Sequence, residues 1–329
     1  MKIFLKRIPL VLQIFNFTYI KLIKPLGIIN LGIYTTFRTL RYSLRKNNLE
    51  AWKVSVRVSC HIIEKGLTMP ERRLGFGLPR LANIANEVLK NKHNENLSEV
   101  KVAVGIIKDY KKVHEKSFYK LPKTIIDLLE RVEIMYPDFK IIKQLKLNKE
   151  EYFSSKNENF LKFSTSRRSI RNFSGKANAE QVQSAIELAL KAPSACNRQV
   201  VKCHLFNDKE KVQEILSYQN GNRGFGHLIP QLCVLTVDLR LIGENEQNDI
   251  YFNAGLFAMN LCYSFHYYEI ASCMLNWAAP PKRDKKLRKI LNIPNHESIT
   301  VLIGFGIPSD EIDIARSDKK SSKETILNN

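Results

Sequence analysis

The chain has few of the residues that cross-link a small fold or hold a metal. Its six cysteines are scattered, with no C-x-x-C pair and no histidine at zinc spacing, which argues against a disulfide scaffold and a structural zinc site. We therefore expect a reducing, cytoplasmic compartment and no bound metal. No uncharged apolar run reaches the roughly 20 residues that a membrane-spanning helix needs.

Acidic residues are scarce relative to basic ones. Thirty-two Asp and Glu against 52 Lys and Arg give a formal charge of +20. Such a charge attracts nucleic acid, an acidic membrane surface or a phosphorylated cofactor, although nucleotide bias in a genome produces the same composition. The cations are dispersed and no nucleic-acid-binding module is recognisable, so we predict no nucleic-acid partner.

The first 50 residues form a basic segment in which Glu50 is the one acid among nine Lys and Arg. Apolar stretches at 9–20 and 26–34 are separated by Lys21 and Lys24. The pattern fits an amphipathic helix that lies on the anionic inner face of a membrane. It fits equally a helix that packs on the rest of the protein, which is the alternative we prefer.

Residues 51–159 are predicted to be a helical extension. Apolar residues recur at three- and four-residue spacing, and Pro and Gly punctuate the pattern. A charged stretch at 147–159 resembles a connection to the second half. The predicted helices are 51–64, 81–92, 98–117 and 123–135.

Residues 160–329 change character, because helical patterns now alternate with short apolar runs typical of buried strands. This alternation indicates an α/β or α+β domain. The predicted helices are 179–192 and 253–268, and the predicted strands are 200–206, 231–238 and 298–305.

Two motifs in this half carry candidate chemistry. Residues 166–173 read S-R-R-S-I-R-N-F, and three guanidiniums with two hydroxyls suit a phosphate, although a solvated basic turn explains them too. Residues 192–199 read A-P-S-A-C-N-R-Q directly after a helix. Small polar residues there could meet a planar hydrogen-bonding ligand or form an ordinary turn.

Together, in this order and spacing, the motifs resemble the nitroreductase family of FMN enzymes. The family has an R-x-S-x-R/K segment, then a helix, then an A-P-S-x-x-N-x-Q turn. The resemblance covers about residues 160–329 and extends to the Ile303–Pro308 strand end. It implies an α+β fold with a central, mostly antiparallel sheet flanked by helices, dimeric, here preceded by an all-helical N-terminal region.

The resemblance also implies roles for particular positions. The first motif would hold the FMN phosphate and ribityl chain, and the turn would reach the flavin of the partner subunit. Further positions would face the pyrimidine side of the ring, the reactive N5 edge, and the phosphate from the C-terminal tail. In that order the residues are Arg167, Arg168, Ser169 and Arg171; Pro193, Ser194, Ala195, Asn197 and Gln199; Asn222; Met274, Leu275 and Asn276; and Arg316 with Lys319 or Lys320.

Departures from the family pattern put the substrate in doubt. The family commonly has Gln-Pro-Trp where this chain has Gln199-Val200-Val201. Cys196 lies inside the turn, where its thiol is either a redox partner or, as we prefer, buried and inert. No catalytic nucleophile or general base is expected, and His204, His227 and His266 are interpreted as structural.

The function implied is hydride transfer from NADH or NADPH through the flavin N5 to a small electron acceptor. The alternative is a flavin-binding scaffold, without turnover, that serves an assembly modifying glycans or peptides.

A last pattern lies at 61–70, H-I-I-E-K-G-L-T-M-P. It resembles a segment of nitroreductase-like proteins with long N-terminal extensions. His61 and Glu64 are one helical turn apart and could be an acid–base pair or metal ligands. A helix that ends with a glycine stop at Gly66 explains them more simply.

Overall fold

The computed structural model describes residue 18 and residues 24–43, 49–92 and 95–327. Its first half is helical, and four of the helices lie within three residues of the predicted bounds at each end. The helices are α1 (Lys24–Ser43), α2 (Leu49–Leu67), α3 (Leu78–Lys90), α4 (Ser98–Lys116) and α5 (Lys123–Met135).

Helices α2 to α5 enclose a hydrophobic core of their own. All of its buried members fall between Val56 and Tyr136. The apolar spacing produces this arrangement, because it gives each helix one apolar stripe that only another helix can cover.

Gly66 does not stop helix α2, contrary to the prediction. The helix continues to Leu67, and a Cβ at position 66 would overlap the ring of Phe76. The chain then reverses through Gly75 and Gly77, whose φ angles of +71° and +67° favour glycine. Gly66 is therefore a point of close approach, not a helix terminator.

The segment predicted as a connection belongs structurally to the second half. Strand β1 (Leu145–Asn148) pairs antiparallel with β7 (Glu311–Ile314). The short helix α6 (Lys149–Phe153) begins with a capping box at Asn148 and buries Tyr152 and Phe153 in the core of the second half.

The second half is an antiparallel sheet with helices. The strand order is β3–β4–β6, with β5 on the opposite edge of β6 and β2 at the C-terminal end of β6. The predicted α+β fold is confirmed. The elements are α7 (Phe160–Ser166), β2 (Phe173–Gly175), α8 (Ala179–Ala189), β3 (Val201–Phe206), α9 (Lys209–Ser217), β4 (Gln231–Asp238), α10 (Asp249–Tyr267), β5 (Ala271–Asn276), α11 (Pro281–Ile290) and β6 (Glu297–Pro308).

Both faces of this sheet are covered. Every residue of β4 is buried, as its continuous apolar run predicted. On one face helices α8 and α10 pack on the sheet, where Phe265 and Phe305 stack with ring centroids 4.8 Å apart. On the other face lie Tyr152 and Phe225, with apolar residues of α9.

Helix α1 leaves most of its apolar side chains exposed, although Gln247 of the second half donates to the Ile28 carbonyl at 3.0 Å. The preferred alternative, packing on the rest of the protein, stays a prediction. One stripe remains exposed at three- and four-residue spacing. Within the part of the chain that the structure describes, no helix has the length and apolarity to cross a bilayer. The exposed stripe comprises Leu26, Ile29, Ile33, Phe37 and Leu40.

The C-terminal tail returns to the helical half. Glu99 of α4 is fully buried and accepts a 2.7 Å hydrogen bond from Nε of Arg57 on α2. Lys320 lies 3.8 Å from the same carboxylate, and Ser98 donates to Glu324 at 2.8 Å. The tail therefore connects the two halves of the chain.

Candidate active site

The R-x-S-x-R segment runs in extended conformation beside strand β5. Helix α7 ends at Ser166, and Ser169 then forms a parallel bridge with Ser272. Ile170 donates its N–H to the Ser272 carbonyl at 3.0 Å and is completely buried. Since paired residues share a sheet face, Ser169 lies on the face that carries Met274 and Asn276.

The guanidiniums of this segment have unsatisfied donors. The Nε atoms of Arg167 and Arg171 are buried without a hydrogen-bond partner. Among the ion pairs of the described residues, none involves Arg167, Arg168 or Arg171. Buried donors of this kind are normally paired, so these two arginines fit an anionic group such as a phosphate.

A cation from the helical half joins this segment, and the sequence reasoning missed it. The Lys65 ammonium of α2 lies 5.5 Å from the ring centroid of Phe225, and the Arg171 guanidinium lies 5.7 Å from the same centroid. Lys65 also donates to the Gly221 carbonyl at 3.0 Å. Lys65 lies in the 61–70 segment singled out above, but nothing in that segment assigns it to this site, because only the tertiary fold brings it here.

The loop at 219–226 connects Asn222 to the end of β5. The Asn222 amide donates to the carbonyls of Leu216 and Gln219, both at 2.8 Å. Gln219 in turn donates to the Asn276 carbonyl at 2.8 Å. The structure thus brings Asn222, Asn276, Arg171 and Lys65 into one region, with the Asn222 N–H groups already used inside the loop.

Strand β5 divides the three residues predicted at the reactive edge. Met274 and Asn276 are exposed, whereas Leu275 is only 3% exposed and lies in the hydrophobic core. The side chain of Leu275 therefore cannot meet a ligand on the face of Met274. Only its backbone is available there.

The A-P-S-A-C-N-R-Q turn has an unusual backbone. Cys196, Asn197 and Gln199 have φ angles of +51°, +54° and +51°. Cys196 is exposed, so the predicted burial of this cysteine is wrong. Each such residue costs about 1–2 kcal/mol, and strain of this kind concentrates at functional sites. Ala195 anchors the turn to helix α10 by donating its N–H to Asn253 at 2.9 Å.

Among the described residues, the turn at 192–199 is not bonded to the arginine segment. It borders a small cavity of about 30 Å³, and Arg198 pairs with Glu246 and Asp249. No hydrogen bond or ion pair among the described residues joins this turn to the arginine segment. The cavity is lined by Leu190, Ala192, Pro193, Ser194, Gln199, Val201, Asn253 and Phe257.

Comparison with known proteins places both motifs in one matched segment. Residues 165–222 match the Nitroreductase family model. The resemblance predicted from the motifs is confirmed over this nitroreductase segment, which contains the arginines, the turn and Asn222. The match supports an oxidoreductase. None of the curated proteins matches the chain.

Solved structures of similar shape cover about half of this chain and nearly all of their own. An FMN-dependent nitroreductase from Clostridium difficile shares 23% identity over 51% of this chain and 97% of its own, at a TM-score of 0.44. A nitroreductase family protein from Streptococcus pneumoniae shares 20% identity over 52% of this chain and 100% of its own, at a TM-score of 0.45. A nitroreductase-like protein from Streptococcus mutans shares 16% identity over 52% of this chain and 98% of its own, at a TM-score of 0.45. Identities and scores at this level carry no function across.

The tail cations lie outside the nitroreductase segment and are engaged by other groups. Arg316 pairs with Asp318 at 2.9 Å, and its backbone N–H donates to Gln144. Lys320 is held near Glu99 of the helical half. The predicted contact of these two residues with a phosphate stays a prediction.

His61 and Glu64 do not form an isolated pair. Their nearest charged atoms are 3.9 Å apart, and the buried Glu64 carboxylate accepts the Ser317 N–H at 3.1 Å. Within the described ranges, no group of three or more His, Cys, Asp and Glu side chains is arranged to hold a metal. Glu64 therefore fixes the tail against helix α2.

His266 is the one histidine with an unusual environment next to the arginine segment. It is 1% exposed, and its Nε2 lies 2.9 Å from Ser166 Oγ while Nδ1 has no partner. Burial, and then the charge of Arg167, lower the pKa of His266 to about 4. The imidazole is thus neutral near pH 7.

This pKa predicts a specific loss of stability in mild acid. Below the ordinary value of 6.5 the unfolded chain protonates this histidine, whereas the folded chain does not until about pH 4. Within that window the free energy of unfolding should fall by up to about 1.4 kcal/mol per pH unit. Urea unfolding between about pH 7 and pH 5 measures this slope. In His266→Gln the slope should be shallower, and equal slopes would contradict the assignment.

Two clefts border the neighbourhood of Arg171 and Lys65. A cleft of about 500 Å³ lies between Thr68, Pro70 and the β1–β7 ribbon, and touches Asn172. A groove of about 240 Å³ runs along the end of β5, between Gly221 and Asn276. The second adjoins the Lys65 contact and is the better candidate for a ligand.

Proposed function

We propose that this protein is an FMN-dependent oxidoreductase that uses NADH or NADPH and a small-molecule electron acceptor. The observation that carries the proposal is the pair of buried, unpartnered Nε donors on Arg167 and Arg171 inside the nitroreductase segment. A phosphorylated cofactor is the kind of ligand that such donors require.

The residues present fit FMN in two ways. Arg167, Arg168, Ser169 and Arg171 would bind its phosphate and ribityl chain. Asn222 and the end of β5 would line the pyrimidine side and the reactive edge of the ring. The bound flavin would supply the N5 centre that accepts and releases hydride, and the protein would bind and orient it.

We propose that two copies form each site. Among the described residues, the strained turn at 193–199 has no hydrogen bond or ion pair with the arginine segment of its own chain, which supports a role at the partner's flavin. Sedimentation equilibrium of the purified protein should give a homodimer. A monomer that binds FMN at full stoichiometry would contradict this part of the proposal.

The visible absorption spectrum of the freshly purified protein tests the central claim. Flavin bands, and FMN released on denaturation, are the expected result. A colourless protein that also fails to take up added FMN would overturn the proposal.

Turnover separates the enzyme from a scaffold. Holoprotein should oxidise NADH or NADPH when a quinone or nitroaromatic acceptor is supplied. If FMN is bound tightly and neither nucleotide is oxidised with any acceptor, the scaffold that serves a glycan- or peptide-modifying assembly becomes the better account.

We also propose that helix α1 lies on an anionic membrane, at the inner face of a cytoplasmic membrane. Its apolar stripe is exposed, and Arg38 and Arg41 are exposed beside it. No acidic residue occurs before Glu50. An apolar stripe flanked by cations alone is the pattern of an interfacial helix.

Vesicle co-sedimentation of the full chain tests this contact. The wild type should bind vesicles containing phosphatidylserine more than vesicles of phosphatidylcholine alone, and salt should weaken the binding. The double change Ile33→Asp with Phe37→Asp should abolish it. Phe118→Asp, at a phenylalanine that is 94% exposed elsewhere, is the matched control. Unchanged binding, or a change in oligomeric state instead, would contradict the membrane role.

A further inference from the structure

Lys65 connects the helical half to the proposed flavin site. It lies near the end of α2, two residues before the helix stops at Leu67. Its ammonium donates to the Gly221 carbonyl at 3.0 Å, one residue before Asn222.

Lys65 is partly buried and has a second cation, Arg171, near the same aromatic ring. Lys65 and Arg171 lie 5.5 Å and 5.7 Å from the centroid of the same Phe225 ring, and that ring is fully buried. Neither cation forms an ion pair with a described carboxylate. Burial, and then the charge of Arg171, lower the pKa of Lys65 from its usual value. Two like charges held together in this way are unfavourable unless an anion lies between or beside them.

We propose that Lys65 completes the flavin pocket by placing a positive charge at the pyrimidine end of the FMN ring, beside the part of the ribityl chain that Arg171 would bind. The inference rests on the proposed function and adds a residue from the helical half to the site. Asn222, the predicted pyrimidine contact, follows the carbonyl that Lys65 binds, and the 240 Å³ groove between Gly221 and Asn276 adjoins it.

The chemical consequence concerns the reduced state of the cofactor. Reduction leaves negative charge on the pyrimidine end of the flavin, so a fixed cation there favours the reduced form over the oxidised form. A cation beside the phosphate would act differently, because the phosphate is charged in both states. The position of Lys65 therefore has a measurable signature in the reduction potential.

The test compares Lys65→Met, which keeps the length of the side chain, with Lys65→Arg, which keeps the charge. In holoprotein, Lys65→Met should lower the midpoint potential of FMN by about 30 mV or more, a tenfold shift for a two-electron couple. Lys65→Arg should retain a midpoint potential close to that of the wild type, because the charge is kept. Lys53→Met is the matched control, since it removes one charge from the same helix about 18 Å away, beyond the screening length of about 8–10 Å.

Three results would overturn the inference. One is an unchanged potential in folded Lys65→Met, and another is an equal shift in Lys53→Met. The third is a loss of FMN affinity, with riboflavin affinity and potential unchanged, which would place Lys65 at the phosphate. Thermal unfolding of each variant verifies that it is folded. Failure of the wild type to bind FMN would instead contradict the proposed function, so the two failures are distinguishable.

Discussion

Arg167→Ala should lose FMN almost completely during purification. The Arg167 Nε donor is buried and has no partner within the chain, so a phosphate would be the group that satisfies it. A hydrogen bond to a charged group contributes about 1.5–3 kcal/mol. We therefore expect the dissociation constant for FMN to rise by about 10- to 100-fold. Fluorescence titration of apoprotein with FMN measures the change.

A charge-matched control separates direct contact from the overall positive charge. Arg80 is exposed on helix α3, so Arg80→Ala removes the same group outside the nitroreductase segment. Its affinity for FMN should remain within about twofold of the wild type, because exposed charges are screened by salt. Riboflavin, which lacks the phosphate, should bind wild type and Arg167→Ala alike. Equal losses in Arg167→Ala and Arg80→Ala would contradict a phosphate contact at Arg167.

The sequence predicts best those elements whose pattern is long. Strand β4 is a largely apolar run of eight residues, and helix α4 repeats its apolar spacing over 19 residues. The structure places the ends of both elements within one residue of the prediction. Strands of three or four residues, such as β2 and β7, are too short to show a period. Their positions depend on pairing with distant strands.

The boundary near residue 159 illustrates the same limit. The predicted connection, 147–159, is charged, yet Leu147 and the preceding Leu145 alternate with polar residues and pack against the second core. Only the pairing partner, β7, shows that this alternation is a strand. The charged residues of this stretch favoured a loop, and an alternation over only four residues is too short to indicate a strand by itself.

The site shows which residues a motif can identify. Arg167 and Arg171 stand out because their spacing within one segment matches a family pattern. Lys65 is one of 52 Lys and Arg residues and has no spacing that marks it. The tail carries no landmark either, and the structure pairs Arg316 with Asp318. Long-range contacts decide these positions, and a single sequence does not display them.

Phe305→Ala should cost the second half of the chain about 3–5 kcal/mol of unfolding free energy. Phe305 is fully buried on the central strand β6 and stacks on Phe265 of α10, so its removal opens a cavity between sheet and helix. Phe118→Ala is the control for loss of an aromatic ring, since Phe118 is 94% exposed. Its effect should remain within about 0.5 kcal/mol.

The two tryptophans allow this loss to be assigned to one half. Trp52 packs against the helical core and Trp277 against the core of the second half. In a Trp277→Phe background the fluorescence of Trp52 reports unfolding of the helical half. In a Trp52→Phe background the fluorescence of Trp277 reports unfolding of the second half. Phe305→Ala should shift the urea midpoint reported by Trp277 more than that reported by Trp52, whereas Tyr110→Ala in the helical core should do the opposite.

The contacts between the halves determine how far the two midpoints can separate. Glu64 binds the backbone of Ser317, and Arg57 with Glu99 holds the tail near Lys320, so destabilising one half must weaken the other to some degree. The hydrophobic cores share no residue, however, and they contribute most of the stability. Unequal shifts are therefore expected. Identical shifts in both backgrounds would mean that the chain unfolds as one cooperative unit, and the predicted division into a helical extension and a flavin domain would then be wrong.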